Sequence, residues 1–382
     1  MAKGLERAKE LYENRGLRAK KLKDEGKRVM GYICCFPPVE LITAAGLVPF
    51  RITGSQEPIT EADAYLETLM CPFVRSCFDQ GVKNRYSFVD GIIWPHTCDN
   101  VEKTYDVWKR YVSHSFYHYL DVPHMADPSS FEFFSGQLEA LKSSLEKFAE
   151  CEISEQRLRE AIAIHNQNRA LLRKLSEFRK QDPPFILGSE MTQIMVASMT
   201  IPADECNQML REIIEEVEGR KDGPEKKAVR LLVYGCEIDD VGFIKLVEQS
   251  GANVVIDDLC LGTRDYWKDI ATEGSPIRNL ADHYLGEIKC PRTFLRATGT
   301  RQEDLDNRFG HIRDFAKEYD VNAAILYIIQ YCDTFEFDAP DVRDYLEQSG
   351  VRVLHLEDDY VMSNVGGIET RIQAFLEVIG NV

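Results

Sequence analysis

Short apolar runs alternate along this chain with longer stretches in which apolar residues recur every three or four positions, the pattern of strands alternating with helices. The first apolar run covers 28–33 and ends at Cys34 and Cys35. Pro37-Pro38-Val39-Glu40 then starts a helix, because proline is tolerated in a first turn, and that helix stops at Gly46. A strand is predicted at 48–52, a helix opening at 70–77, a strand at 91–94, a helix at 101–111, a strand at 115–120 and a helix at 131–151. The stretch 88–100 organises this half: its apolar run breaks at Pro95 and delivers His96, Cys98 and Asp99 to the carboxyl end of a strand, where α/β folds present reactive groups.

The rest of the chain extends and repeats that order. Residues 1–27 read as one amphipathic helix. Ser154 is a helix N-cap with Ile153 and Leu158 as a hydrophobic staple, and its helix runs to about 180, before Asp182-Pro183-Pro184. Helical sequence continues over 188–218, and the charged, glycine-containing stretch 218–224 is the clearest linker. Then come a strand at 228–234 with Gly235-Cys236, a helix at 241–249, and a strand at 253–256 tipped by Asp257-Asp258-Leu259-Cys260. A helix at 303–317 precedes a strand at 322–329 that ends in Gln330-Tyr331-Cys332-Asp333. The following helix reads as starting near Asp338 and as clear over 342–348, and a strand at 351–356 and a helix at 365–379 finish the chain. The expected organisation is a helix over 1–27, a first α/β lobe over 28–152, a helical connector over 153–224 and a second α/β lobe over 225–382, with a parallel sheet in each lobe.

Length and composition narrow the class. At 382 residues the chain exceeds one ordinary core. A net charge of −17 disfavours a nucleic-acid partner. There is no run of eighteen apolar residues, so no membrane span is expected, and the charged N-terminal stretch does not read as a signal peptide; a cytoplasmic location is the expectation. Eleven cysteines in such a chain point to reduced thiols. Cys151 and Cys206 lie in helical sequence and read as structural, whereas the others cluster after strands or beside proline.

Motifs for several chemistries are missing. There is no G-x-x-x-x-G-K-[ST], no G-x-G-x-x-G and no H-E-x-x-H, so neither a P-loop ATPase nor a Rossmann dinucleotide site is supported. Cys71 and Cys77 are too widely spaced for a usual zinc pair, and of His114 and His118, four apart, the second falls on the strand predicted at 115–120 rather than on a helix face. Cys98 beside His96 leaves a thiol nucleophile open. An iron–sulfur cluster fits better, since thiols at the strand tips of two facing lobes can converge. Cys71, before Pro72, and Cys98 and Cys332, each before Asp at a strand tip, form the preferred trio. The backbone N–H groups of the helices that follow would face the anionic cluster. Cys290, in Lys289-Cys290-Pro291 beside a charged loop, is less expected as a sheltered ligand.

Five segments, GYICCFPPVELITAAG (31–46), MCPFVRS (70–76), PHTCD (95–99), DDLCLGTR (257–264) and YCD (331–333), together with Thr370-Arg371, resemble the 2-hydroxyacyl-CoA dehydratase / benzoyl-CoA reductase family over nearly the whole chain. The resemblance implies two flavodoxin-like lobes and a 4Fe–4S cluster on Cys71, Cys98 and Cys332. It also implies a related larger subunit, an acyl-CoA substrate, and a separate ATP-hydrolysing iron–sulfur activator, so that ATP would bind only to that partner. The size and the PHTCDN and DDLCLG segments resemble most the smaller cluster-bearing catalytic subunit of a benzoyl-CoA reductase. The alternatives are a 2-hydroxyacyl-CoA dehydratase subunit, an electron-relay subunit without catalysis of its own, and a double-cubane protein holding about eight irons. For the last, Cys34, Cys260 and Cys290 are additional candidate ligands beside the trio. Glu40 matches an acidic position of the family and stands equally well as a first-turn glutamate favoured by the helix dipole. Arg75 is a candidate for the acyl-CoA carbonyl or phosphate, or an ordinary ion pair, and His96 for a proton donor or a loop cap. The polar patch 165–169 reads as solvated or as an inter-lobe contact.

Overall fold

A computed structural model describes residues 4–221, 223–295 and 299–380. Eight strands form two four-stranded sheets, parallel throughout. The first holds β1 (Val29–Tyr32), β2 (Val48–Arg51), β3 (Gly91–Pro95) and β4 (Phe116–Leu120) in the order β2-β1-β3-β4. The second holds β5 (Val229–Gly235), β6 (Ala252–Asp258), β7 (Ala323–Ile329) and β8 (Arg352–Asp358) in the order β6-β5-β7-β8. This is the expected pair of flavodoxin-like sheets. In each, the order reverses between the first and third strands, so the crevice for a ligand opens outside the carboxyl ends of β1 and β3 and of β5 and β7.

The strands form because continuous runs such as Leu231-Leu232-Val233 and Ile325-Leu326-Tyr327 must be covered on both faces, and every residue of β1, β3, β5, β6 and β7 is buried. One core runs between the lobes, joining Trp94, Trp108, Phe73 and Phe78 to Leu232, Tyr234, Leu326 and Phe335. A second core covers the other face of the first sheet with Phe134, Leu138, Leu141 and Tyr284. A third lies among the helices, where Leu172, Leu175, Ile194, Met209 and Ile213 meet Ala8 and Leu11.

Three expected elements differ. The helix over 1–27 is two helices, Gly4–Glu13 and Leu17–Asp24 (residues 1–3 lie outside the described residues); the chain turns at Asn14-Arg15-Gly16, and Arg15 ion-pairs there with the buried Asp239. The helical run 188–218 is Gly188–Ser198 and Ala203–Glu218, broken at Pro202, which lacks the N–H a continuing helix needs. The helix expected from about Asp338 begins at Asp333 and carries Pro340 within it. The N-cap at Ser154 stands: its side chain accepts from the Arg157 N–H, and Ile153 and Leu158 are buried together.

Arg169, in the polar patch of helix Glu155–Glu177, is buried and crosses to the first lobe. It pairs with Glu40 at 2.5 Å, and the Tyr284 hydroxyl donates to the same carboxylate at 2.8 Å. Among the described residues no helix is long and apolar enough to cross a membrane.

Candidate functional site

The two crevices face each other and merge into one cavity, which leaves about 540 Å³ between protein atoms, its mouth included. Cys34 follows β1, Cys98 follows β3, Cys236 follows β5, Cys260 follows β6 and Cys332 follows β7, and all five line the cavity. Cys71, ahead of helix Pro72–Val82, and Cys290, on the loop before helix Arg301–Glu318, complete the set. Cys35 stands behind them as a thiol neighbour of Cys34, Cys260 and Cys290.

Local sequence explains the placement. Cys71, Cys98 and Cys332 each occupy the N-cap position of a helix: Pro72–Val82, Asp99–Tyr111 and Asp333–Gln348. Pro72 suits a first helical position, and Asp99 and Asp333 suit the positive end of the helix dipole. The N–H groups of Phe73 and Val74 face the Cys71 sulfur, and those of Asn100 and Val101 face Cys98, although neither cysteine closes a capping hydrogen bond. Burial outweighs those donors. It raises the Cys71 thiol and pushes Cys98 up to about 11.

Cys290 behaves otherwise. It is 8 % exposed and faces the cavity, so the charged sequence around it does not leave it unsheltered. The neighbouring Cys35 thiol, helped by Arg264 and Arg292, pulls it down to about 7. Two residues on, Arg292 ties the Cys290 loop to the first lobe and so keeps it over the cavity. Its guanidinium donates to the carbonyls of Thr97 at 3.0 Å, His96 at 3.0 Å and Val122 at 2.8 Å, and to that of Pro123.

Two further arginines hold the rim. Arg264 Nη1 reaches the Cys260 sulfur at 3.4 Å, and its Nε pairs with Asp258 at 2.9 Å. Arg51 Nη2 donates to Glu237 at 2.6 Å and Nη1 to the Cys34 carbonyl. Burial raises the Glu237 carboxyl, with Arg51 opposing it.

The other sequence candidates lie elsewhere. Glu40 is fully buried with Arg169 and Tyr284 and does not line the cavity. Arg75 pairs with Asp63 and donates to the Thr68 carbonyl, holding the loop ahead of Cys71. His96 stands one residue from the cavity wall with its ring toward Asp121 at 3.0 Å and Glu102 at 3.3 Å. Cys206 packs in the helical core, as its sequence setting suggests, and Cys151 follows helix Pro128–Ala149 and packs against the second core. The residues that sequence reasoning passes over are Cys236, Arg292, Thr97 and Glu237. Only Cys236 carried a signal, since it ends a strand as Cys34 does.

The donor set suits an iron–sulfur group. Soft thiolates select such clusters. Among the described residues no three His, Cys, Asp or Glu side chains are grouped as a single metal ion requires, and seven cysteines line the cavity. Two buried polar atoms of lining residues, Thr97 Oγ1 and Glu237 Oε2, have no hydrogen-bond partner among the described residues. The Thr97 hydroxyl, one residue before Cys98, is left with a donor that an anionic group bound in the cavity would satisfy.

Residues 34–379 match the family described as 2-hydroxyglutaryl-CoA dehydratase, D-component, and the chain belongs to that family. It is similar to one of the subunits of the benzoyl-CoA reductase of Thauera aromatica, 26 % identical over 86 % of this chain and 84 % of the relative. It is also similar to the beta subunit of the (R)-phenyllactyl-CoA dehydratase of Clostridium sporogenes, 22 % identical over 94 % of each chain. A third relative is the beta subunit of the (R)-2-hydroxyglutaryl-CoA dehydratase of Acidaminococcus fermentans, 23 % identical over 94 % of each.

Proposed function

We propose that this chain is the iron–sulfur subunit of an enzyme complex that delivers low-potential electrons to an acyl-CoA thioester, of the benzoyl-CoA reductase type. The observation that supports it best is the ring of cysteines at the merged switch points of two sheets. When bound there, a 4Fe–4S cluster would supply one-electron chemistry. Cys71, Cys98 and Cys332 hold it. Helix N-termini and Arg264 and Arg292 offset its negative charge. Phe73, Val74, Val101, Ile329 and Phe335 keep water from the cavity wall.

The chain carries thiols and no P-loop, so electrons come from a separate ATP-hydrolysing activator, and the complex is completed by a related larger subunit. A 2-hydroxyacyl-CoA dehydratase role draws on the same residues, and similarity to relatives of both kinds supports it to the same extent.

One observation favours a second reading of the cofactor. Cys34, Cys260 and Cys290 line the same cavity as the trio, as a double-cubane cluster on six cysteines requires. Anaerobic iron analysis of the reconstituted chain and of single Cys→Ser variants tests both. About four irons, lost on changing Cys71, Cys98 or Cys332 and kept on changing Cys34, Cys260 or Cys290, support the smaller cluster. About eight irons, falling sharply in Cys290→Ser, support the larger. A chain that binds no iron overturns the proposal.

A further inference from the structure

The two sheets are built alike, and their cysteines follow the same order. In the first lobe, Cys34 ends the first strand, Cys71 follows the second and Cys98 ends the third. In the second lobe, Cys236, Cys260 and Cys332 end the first, second and third strands. Cys236 is therefore the second-lobe counterpart of Cys34, placed beside the point where the strand order reverses.

Its surroundings agree. Cys236 is 5 % exposed and lines the cavity. It is a thiol neighbour of Cys332 and stands near Cys71; Cys332 in turn stands near Cys71 and Cys98. Cys71, Cys236 and Cys332 thus form one group, Cys34, Cys35, Cys260 and Cys290 form another, and Cys98 stands between them, near Cys71 and Cys332 on one side and Cys34 and Cys290 on the other. Backbone N–H groups at Ile329 and Glu237 face the Cys236 sulfur, as Phe73 and Val74 face Cys71. A small buried hydrophobe needs no such donors. Gly235 before it cannot carry a side chain, because a Cβ there would come within 2.2 Å of the Tyr327 carbonyl oxygen, so the backbone presenting Cys236 is fixed against β7.

We propose that Cys236 is a fourth protein ligand to the iron group held by Cys71, Cys98 and Cys332. Its thiol loses a proton to solvent, and its sulfur bonds to the iron that three cysteines would leave open. This rests on the preceding reading of the cavity as an iron–sulfur site, and it adds that the fourth iron is closed by protein in the resting chain. Substrate access to that iron then requires Cys236 to move aside.

The test uses the full-length chain, reconstituted anaerobically as wild type, Cys236→Ala and Cys236→Ser, with Cys206→Ser as a buried control. Iron per chain is measured, then paramagnetic resonance after titration with ferricyanide, which strips an iron lacking a cysteine ligand and leaves a 3Fe–4S signal. The wild type and Cys206→Ser are expected to resist. Cys236→Ala is expected to lose about one iron in four and to develop that signal. Cys236→Ser, with an oxygen in place of sulfur, is expected to keep the iron with an altered spectrum. A wild type that yields the signal as readily as Cys236→Ala overturns the inference without needing any variant to fold well. Iron-loaded variants indistinguishable from wild type also overturn it and leave the iron–sulfur reading standing. A wild type that binds no iron overturns both.

Discussion

Arg51 Nη2 donates to Glu237 Oε1 at 2.6 Å across the boundary between the two sheets, with both side chains buried. One residue ends β2 and the other follows Cys236, so this pair joins the lobes at the cavity wall. Removing one partner of a buried pair leaves an uncompensated charge, at a cost of about 3–5 kcal/mol. Arg51→Met should lower urea stability of the metal-free chain by that order. Arg51→Met with Glu237→Met should recover much of the loss, because an apolar pair strands no charge. Equal destabilisation of the single and double variants would show that the pair itself matters less than the space it fills.

Glu40 gives a pH dependence with a defined sign. Burial alone would raise its carboxyl, and the Arg169 guanidinium outweighs that and brings it to about 2. A carboxylate held low when folded contributes stability fully above its unfolded value, near 4.3, and loses it as pH falls toward 2. The contribution is on the order of 3 kcal/mol. Unfolding measured at pH steps from 5 to about 2 should show a steeper loss in the wild type than in Glu40→Gln. Parallel curves would mean that the pair is not formed in solution.

The carbonyls of His96, Thr97, Val122 and Pro123 all depend on Arg292. Arg292→Met should strand several of them, each costing about 1–3 kcal/mol if it stays buried. Hydrogen exchange should then quicken over residues 290–295 and 96–99 together, since one guanidinium pins both segments. Exchange that changes in only one segment would refute that coupling.

Two glycines should respond in opposite directions. At Gly235 a Cβ would collide with the Tyr327 carbonyl, to which the strand register commits it, so Gly235→Ala should cost about 3 kcal/mol or more. At Gly136, within helix Pro128–Ala149, a Cβ meets nothing within 4 Å, and Gly136→Ala should gain about 0.5–1 kcal/mol. Melting temperatures of the two variants check both signs.

Strand positions were legible because buried parallel strands are continuous apolar runs bounded by breakers or polar residues, as at 91–95, between Asp90 and His96, and at 323–329, between Asn322 and Gln330. Helix breaks were harder to see. Arg15 turns the chain through a partner more than two hundred residues away, and no local pattern reports Asp239. Cys71 stood out because it precedes Pro72, and Cys98 and Cys332 because each precedes Asp at a strand tip. Cys290 reads poorly because its shelter comes from Arg292 and the carbonyls of another lobe. The polar patch at Arg169 has the composition of an exposed helix face, and only packing against Glu40 shows that it is internal.

The order in which the sulfurs come together bears on how such a chain would be matured. Small iron–sulfur proteins gather ligands from a few neighbouring residues, and metal can organise the peptide as it folds. Here Cys71 and Cys332 are brought to one wall only after both parallel sheets are paired and the lobes have closed on each other, which are non-local and intrinsically slow steps. If the proposed iron–sulfur reading holds, iron would be delivered after folding, to a chain whose tertiary structure already stands. An assembly factor that hands over a preformed cluster would have to recognise the folded surface around the mouth of the cavity rather than a nascent cysteine motif.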